Sequence, residues 1–140
     1  MDEVRVVTVF LRHGSDVLLF RRSDEVGSYG GRWGTVAGHA EGDPDAMALT
    51  EIEEEAGIPG SAVTLVRKGD PFDVVDESRG TRWIVTPYLF DVDTRAVETN
   101  WETETFEWVS PTAILERETV PDLWESYDRV RPSVESVETD

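Results

Sequence analysis

One stretch of helical periodicity, set among runs of β-branched residues, constrains the fold of this 140-residue chain most strongly. Apolar Ala48, Ile52 and Ala56 recur every four residues, as they would along the buried side of a helix. Pro44 suits the first helical turn, because its fixed φ is helical and its missing N–H would have no partner there. The pattern predicts one long helix over 44–56.

The remainder of the chain predicts short strands joined by turns. Alternating and β-branched residues indicate strands at 4–11, 16–22, 35–37, 62–67, 71–75, 83–90 and 106–109. The first two runs predict a hairpin, and the glycine-rich segment 23–34 predicts a long loop. Brief helices are predicted near 111–116 and 121–130. Pro87 cannot donate to a ladder, so its strand is expected at an edge of the sheet or bulged there.

The order of these segments predicts the architecture. Strands around one long helix, followed by short helices, favour an α+β or α/β/α layered sheet domain. The length is that of one domain, which we expect to span residues 1–132. The acidic segment 133–140 is expected to be a tail or the start of a linker to a further domain after residue 140. A monomer or a homodimer is expected.

The charge balance excludes several classes of function. The chain has 13 Lys and Arg against 30 Asp and Glu, a net charge of −17, and such a surface repels the phosphate backbone of long nucleic acids. No apolar run approaches the roughly 18 residues of a membrane helix, and no secretory signal is recognised, so we expect a cytoplasmic protein without a membrane partner. The absence of cysteine excludes disulfides, thiolate zinc sites and cysteine nucleophiles.

The acidic surplus also predicts adaptation to molar salt. An Asp and Glu shell stays hydrated at high ionic strength, where its self-repulsion is screened. The alternative is an ordinary acidic protein. Either surface requires a cation to help a small anionic ligand bind.

The densest chemical signal is a cluster of carboxylates in the predicted helix. Glu51, Glu54 and Glu55 are related by three and four residues, so they share one helix face. Like charges at this spacing destabilise a helix unless a cation neutralises them. Oxygen ligands without His or Cys favour Mg²⁺ or Mn²⁺ over zinc. A solvated acidic face is the alternative.

The segment 38–58 resembles the Nudix box of the Nudix hydrolase (MutT-like) family. That motif runs Gly, five residues, Glu, seven residues, then Arg-Glu-apolar-x-Glu-Glu-x-Gly-apolar. Its second half is matched here by Glu51, Ile52, Glu54, Glu55, Gly57 and Ile58. The resemblance extends over most of 4–130 and includes the strand pair ending at Arg22, the approach Trp33–Gly38 and the run Glu107–Val109.

Two positions depart from the family pattern. Thr50 stands where the family has Arg, and the loop after Gly38 is one or two residues out of step, with Glu41 and Asp43 as its nearest carboxylates. In the family the first Glu and this Arg form a structural ion pair. Removing both partners of a buried pair can be roughly neutral, whereas removing one is costly. The double change therefore predicts a rebuilt loop.

The resemblance implies a Nudix fold, an α/β/α sandwich around a mixed, curved sheet with the catalytic helix after the third strand. It implies Mg²⁺-dependent (or Mn²⁺-dependent) hydrolysis of a nucleoside diphosphate linked to another group. The implied metal ligands are Glu51, Glu54 and Glu55, the carbonyl of Gly38 and, as a further ligand, Glu41. The general base varies within the family, and the candidates here are Glu107, Glu104 and Glu102.

Substrate contacts are predicted from the few cations and the aromatic residues of the glycine-rich loop. The candidates for phosphate contact are Arg21, Arg22 and Arg32, and those for base stacking are Tyr29 and Trp33. Trp83 is a further stacking candidate, although core packing is the favoured interpretation.

The substrate is expected to be a small phosphorylated nucleotide. The run Val36–Gly38 resembles the branch of the family that acts on deoxynucleoside or pterin triphosphates. We therefore expect a nucleoside triphosphate pyrophosphohydrolase, with ADP-ribose as the second choice. The alternative is a Nudix-fold sensor or regulatory module that binds a nucleotide without hydrolysing it.

Overall fold

A mixed eight-stranded sheet forms the centre of the computed structural model, which describes residues 1–132. The strands are β1 (Asp2–His13), β2 (Asp16–Arg22), β3 (Trp33–Gly34), β4 (Val36–His39), β5 (Val63–Lys68), β6 (Phe72–Asp76), β7 (Thr81–Val92) and β8 (Thr103–Val109). The α-helices are α1 (Pro44–Ala56) and α2 (Leu123–Asp128), and 3-10 helices span Gly60–Ala62, Glu77–Arg79 and Pro111–Glu116. The predicted acidic tail, 133–140, lies outside the described residues.

The two longest strands, β1 and β7, run parallel at the middle of the sheet. The C-terminal end of β1 forms the predicted hairpin with β2 at Arg12 and Val17, and the preceding part of β1, Val6–Val9, pairs antiparallel with β4. Strand β2 continues outward to β3 and β8. On the other edge of β7, β5 and β6 pair with it one after the other. The sheet is therefore mixed, as predicted.

Both faces of this sheet carry buried apolar side chains that pack against helices. On one face, Ala48, Ile52 and Ala56 of α1 are fully buried against a cluster that includes Val7 and Val9. The opposite cluster joins sheet residues to the 3-10 helix at 111–116 and to α2; its members are Phe10, Val17, Leu19, Leu89, Ile114, Leu123, Tyr127 and Val130. Helices on both faces give the α+β sandwich predicted from the sequence.

The bounds of α1 agree with those predicted from its caps. The Asp43 carboxylate accepts a hydrogen bond from the Asp45 N–H at 3.1 Å, and Pro44 begins the first turn. Gly57 ends the helix at φ 70°, a left-handed conformation that favours glycine. Within residues 1–132, neither α1 nor α2 has the length and apolarity needed to cross a bilayer.

The expectation for Pro87 was wrong. Its strand, β7, lies in the interior of the sheet, and on the β1 side Pro87 pairs in regular register with Thr8. Pro87 faces the gap between β5 and β6, where the chain turns at 69–71 and only the Pro87 carbonyl is used, accepting from the Gly69 N–H at 2.9 Å. A missing donor is tolerated there because no partner strand requires it.

The approach to α1 contains two strands where the sequence indicated one. The chain pairs with β2 through Trp33–Gly34 and then changes partner to β1 through Val36–His39. The change occurs at Thr35, whose buried hydroxyl donates to the Val9 carbonyl at 2.7 Å. The helix α1 therefore follows the fourth strand rather than the third, because the short strand β3 precedes the strand indicated by the sequence.

Candidate active site

A cavity of about 630 Å³ opens where α1, the sheet and the start of α2 meet. Its lining includes five carboxylates, from Glu41, Glu51, Glu54, Glu55 and Glu102. Among the lining residues described, Arg22 is the one Lys or Arg side chain. A phosphorylated ligand would meet strong repulsion here unless a cation accompanied it.

The centre of the carboxylate cluster is a pair on α1. Glu55 is only 8% exposed, and its Oε1 accepts a hydrogen bond from the Ala37 N–H at 3.3 Å. Its carboxyl also lies within hydrogen-bonding distance of Glu51. Burial, followed by the neighbouring Glu51, raises the pKa of Glu55 well above its ordinary value. Two adjacent carboxyls in such surroundings need a proton or a cation between them.

Gly38 allows the backbone of β4 to approach this pair. A Cβ built on Gly38 would overlap the Glu51 side chain, with Glu51 Oε2 only 2.6 Å away. The Glu51 carboxylate occupies the space where another residue would carry its Cβ, so a side chain at position 38 would displace that carboxylate. The α1·β4 packing thus places the backbone at Ala37 and Gly38 beside two carboxylates.

This donor set suits a hard divalent cation. Glu51 and Glu55 supply carboxylate oxygens, and Mg²⁺ binds through one or two carboxylates while waters and substrate phosphates complete its octahedron. Glu54 and Glu41 are more exposed members of the cavity lining. Within residues 1–132, no three Asp, Glu, His or Cys side chains converge to enclose an ion by themselves. The arrangement therefore fits a cation shared with a phosphate ligand.

The position of the carboxylates along α1 supports the same conclusion. Glu53, Glu54 and Glu55 occupy the last turn, where the helix dipole favours cations, and no basic residue is present in that turn. A bound cation would offset both the repulsion between the carboxylates and the negative end of the helix dipole and the repulsion among the carboxylates.

Arg22 is the predicted phosphate contact that the structure brings to the cavity. Its Nε donates to the Ser28 carbonyl at 2.9 Å, and it lies near Glu55 and Glu102. Burial lowers the pKa of Arg22, while these two carboxylates oppose that effect. The guanidinium is held in place at the cavity wall with part of its donor capacity free.

The other predicted cations lie elsewhere. Arg21 donates to the Gly31 carbonyl at 3.2 Å, and Arg32 donates to the Thr119 carbonyl at the same distance. Trp33 packs against the second core cluster beneath the Arg117 guanidinium, 4.5 Å from its ring centroid. None of these three side chains lines the cavity.

The three candidate bases are also separated by the fold. Glu102 lines the cavity, and Asn100 orders its backbone by accepting from the Glu102 N–H at 3.0 Å. Glu104 lies 3.8 Å from Arg21, and Glu107 binds Arg117 at 2.7 Å on the outer part of β8. Only Glu102 among the three faces the cavity.

Trp83 contradicts the interpretation favoured from the sequence. It is half-buried and lines the cavity rather than the core. Its Nε1 donates to the Tyr29 hydroxyl at 3.2 Å, and that hydroxyl donates to Asp76 Oδ2 at 2.6 Å. The aromatic content of β7 made core packing the simpler interpretation. The register that turns Trp83 toward the cavity exists only in the assembled sheet.

Comparison with known proteins decides the family. A family model described as "NUDIX domain" matches residues 2–130. The chain belongs to the Nudix family. Nudix hydrolases generally use divalent metal ions, in agreement with the donor set on α1. The family and its hydrolase neighbours support a hydrolase that acts on pyrophosphate bonds.

Solved Nudix structures share this fold at low sequence identity. An Ap4A hydrolase from C. elegans, in a binary complex, has a TM-score of 0.74 at 16% identity, with 90% of this chain and 93% of that one covered. The MutT protein from Methanosarcina mazei Go1 has a TM-score of 0.69 at 23% identity, covering 91% and 92%. The NUDIX domain of Shewanella oneidensis NrtR, complexed with ADP ribose, has a TM-score of 0.71 at 15% identity, covering 92% and 86%. No curated protein sequence matches the chain significantly.

The altered Nudix box is accommodated at the surface. Thr50 and Glu41 are both exposed, so the missing ion pair leaves no buried charge without a partner. The loop between β4 and α1 turns at Gly42, whose φ is 94°, and then enters the Asp43 cap. The loop is shaped by this turn and cap, and the helix that carries Glu51 and Glu55 forms with threonine at position 50.

Proposed function

We propose that this Nudix protein hydrolyses a nucleoside diphosphate linked to another group, with a nucleoside triphosphate as the leading substrate and Mg²⁺ or Mn²⁺ as the cofactor. The observation that carries the proposal is the Glu51–Glu55 carboxyl pair packed against Gly38 inside the cavity. Family membership supplies the reaction class, and the all-oxygen donor set supports the metal.

The metal ligands we propose are Glu51, Glu55 and the Gly38 carbonyl, with Glu54 and Glu41 as ligands at the exposed side. When bound there, a divalent ion offsets the charge of the diphosphate and lowers the pKa of a coordinated water. The chain's contribution is to hold the oxygens of α1 and β4 in fixed relation, because the cap of α1 and the close approach at Gly38 set both elements.

Arg22 and Glu102, which also line the cavity near Glu55, provide a phosphate contact and a proton acceptor. Arg22 donates to a phosphate oxygen and balances part of the charge that develops on the leaving group. Glu102 accepts a proton from the attacking water while the water oxygen forms a bond to phosphorus. The anhydride P–O bond breaks, and the bridging oxygen leaves with the departing phosphate group and its bonding electron pair. Asn100 links the Glu102 backbone to α1, because its side-chain amide also donates to the Glu54 carbonyl at 3.1 Å.

The size of the cavity favours one nucleotide over an extended dinucleotide. A volume of about 630 Å³ lies within the range of pockets that hold a single small ligand. With Val36–Gly38 resembling the triphosphate branch, a nucleoside triphosphate pyrophosphohydrolase remains our first proposal. ADP-ribose, which carries one base and a second ribose, is the second.

Turnover of a substrate panel tests this proposal. We would measure phosphate and pyrophosphate release from nucleoside triphosphates, ADP-ribose and dinucleoside polyphosphates in molar KCl with Mg²⁺ or Mn²⁺. Glu54→Gln should lose most of the turnover, and Glu53→Gln, its exposed neighbour on α1, should retain it. Equal loss in both variants would contradict the assigned ligands. Nucleotide binding that is unchanged in chelator and never leads to turnover would favour the sensor alternative.

We also propose that the protein is adapted to high salt. Its net charge of −17 is spread over a small domain, so self-repulsion destabilises the compact state at low ionic strength. Molar KCl should raise the melting temperature by screening this repulsion. A melting temperature that is the same in dilute and molar KCl would remove the proposal.

A further inference from the structure

Two aromatic side chains form a wall of the cavity away from the carboxylates. Tyr29, from the loop 23–32, and Trp83, from β7, both line the cavity, and their ring centroids lie 6.4 Å apart at an interplanar angle of 58°. We call this pair the aromatic wall. Neither residue belongs to the two core clusters, and both are only half-buried. Arg79 lies over the Tyr29 ring, so the surface left for a ligand is the Trp83 ring and the part of the Tyr29 ring that Arg79 does not cover.

The polar atoms of the aromatic wall are already engaged by the protein. The indole Nε1 of Trp83 is a donor only, and it donates to the Tyr29 hydroxyl. That hydroxyl donates in turn to Asp76, which also accepts from the Ser78 hydroxyl at 2.7 Å. Desolvation, followed by the bond to Asp76, raises the pKa of Tyr29 and keeps the hydroxyl protonated as the donor. The wall therefore offers aromatic surface without a free polar group.

Contacts from Arg79 fix the loop that carries Tyr29. Tyr29 has φ 55°, a left-handed conformation that costs energy in a non-glycine residue. Arg79 holds the loop by donating to the Gly27 carbonyl at 3.0 Å and by covering the Tyr29 ring 5.0 Å from its centroid. Strain that persists under such contacts is typical of functional positions.

The sheet register places the aromatic wall at a distance from the metal ligands that suits a nucleotide. Gly38 pairs with Val7 of β1, and Trp83 pairs with Val4 of the same strand on its other side. Two strand spacings and three residues along the strand separate the two positions by roughly 10 Å in each direction. The part of the cavity lining between them, which we call the floor, includes the apolar side chains of Val6 and Val85. A phosphate chain at α1 would leave its nucleoside over this floor.

We propose that Tyr29 and Trp83 stack on the nucleobase of the substrate and that this wall discriminates weakly among bases. Strong discrimination requires buried polar groups that are left unpaired by the wrong ligand, and the aromatic wall has none free. Stacking is available to every base because each has a π face. The inference rests on the proposed function, and it adds that the protein accepts purine and pyrimidine nucleotides alike.

Equilibrium binding separates this inference from the proposed hydrolysis. Calorimetry with AMP, GMP, CMP and UMP should give dissociation constants within about tenfold of one another, as sequence-tolerant stacking predicts. Trp83→Ala should weaken all four by about 5- to 150-fold, the range for loss of one stacking partner, and Trp83→Phe should restore most of the binding. Trp101→Ala is the matched control, because Trp101 is 64% exposed and lies outside the cavity lining.

Each result has a distinct meaning. One base preferred by more than a thousandfold, or a Trp83→Ala variant that binds like the Trp101→Ala control, would overturn the aromatic wall even if hydrolysis is observed. Binding that follows the predicted pattern without turnover of any triphosphate would support the wall and contradict the proposed hydrolysis. A Trp83→Ala variant that fails to fold leaves the decision to the panel of four nucleotides and to Trp83→Phe.

Discussion

The two sides of the cavity are assembled in different ways. The carboxylate end, Glu51, Glu54 and Glu55 with Gly38, comes from one helix and the strand just before it. The aromatic wall joins Tyr29 and Trp83, which are separated by 54 residues in the chain. The carboxylate end is therefore set by local periodicity, whereas the aromatic wall exists only after the loop 23–32 has docked on the strands.

Different interactions also dominate the two sides of the cavity. Charges dominate the carboxylate end, which is unfavourable until a cation or a proton arrives. Apolar surface and satisfied hydrogen bonds dominate the aromatic wall, so it is complete without a ligand. We therefore expect substitutions at the carboxylate end to change turnover and metal response, and substitutions at the wall to change affinity.

The largest effect is expected from Gly38→Ala. The new Cβ would displace the Glu51 carboxylate, a flexible group that can move at little cost to stability. A misplacement of about 1 Å in a catalytic group can cost roughly 10²-fold in rate, so kcat should fall by about that factor with a nearly unchanged melting temperature. Gly60→Ala is the control, since nothing lies within 4 Å of a Cβ there. Full activity of Gly38→Ala would show that the close approach is incidental.

Metal and pH should act together on the carboxylate end. The folded-state pKa of Glu55 lies above the ordinary value of 4.5, so above pH 4.5 the folded state retains a proton that the unfolded state has lost. In chelator, the free energy of unfolding should therefore fall as pH rises through the raised pKa of Glu55. Glu55→Gln should flatten this slope, and Mg²⁺ should oppose it in the unmodified protein by neutralising the pair.

Thermal melts from pH 5 to 9, with and without Mg²⁺, would check this prediction. Glu53→Gln serves as the control, because Glu53 is exposed and lies on another face of α1. A melting temperature that rises across this pH range in chelator would contradict the direction assigned to Glu55.

A moderate effect is expected from Tyr29→Phe. The change removes the hydroxyl that joins Trp83 to Asp76 and leaves the ring in place. A hydrogen bond of this kind contributes about 1 kcal/mol net, so stability should fall by that amount and nucleotide affinity severalfold, with kcat retained. Denaturant melts and Michaelis–Menten kinetics would measure both. A loss of kcat as large as that from Gly38→Ala would place Tyr29 in the chemistry instead.

The smallest effect is expected from Thr50→Arg, which restores the arginine of the family motif. Thr50 is exposed, so the new charge is solvated and stability should change by no more than about 0.5 kcal/mol. Turnover should stay within a factor of two. A large gain in turnover would show that the loss of this arginine lowers activity and that the rebuilt loop does not compensate for it.

Local patterns were enough to predict most of the elements. Every predicted strand exists, and the helix at 44–56 has the predicted bounds because its caps are encoded within a few residues. Strand β8 begins at Thr103, three residues before the prediction, since the polar residues there pair with β2 without being buried. The error at Pro87 has the same origin, because a strand's place in a sheet depends on distant partners.

The candidate site divides along similar lines. Glu51, Glu54 and Glu55 were predicted from spacing on one helix, and the structure places all three in the cavity lining. Of the three arginines proposed for phosphate, only Arg22 lines the cavity. Arg21 is its neighbour on β2, where side chains alternate between faces and the register shifts, and Arg32, outside β2, donates to the Thr119 carbonyl. Sequence spacing does not contain the pairing that decides this.

By itself, the sequence determined the chemistry that this protein can hold. The spacing of three glutamates on one helix face and the lack of cysteine favour a hard cation over zinc, because these follow from residue type and helical geometry, whereas the expectation for Gly38 came from the resemblance to the Nudix box. Only the tertiary structure decided what faces that chemistry. Within residues 1–132, the presence of Arg22 as the one arginine of the cavity lining depends on strand register and loop docking, as do the position of Glu102 and the aromatic wall. Register and docking join residues that are far apart in the chain, and a local sequence pattern does not contain those contacts.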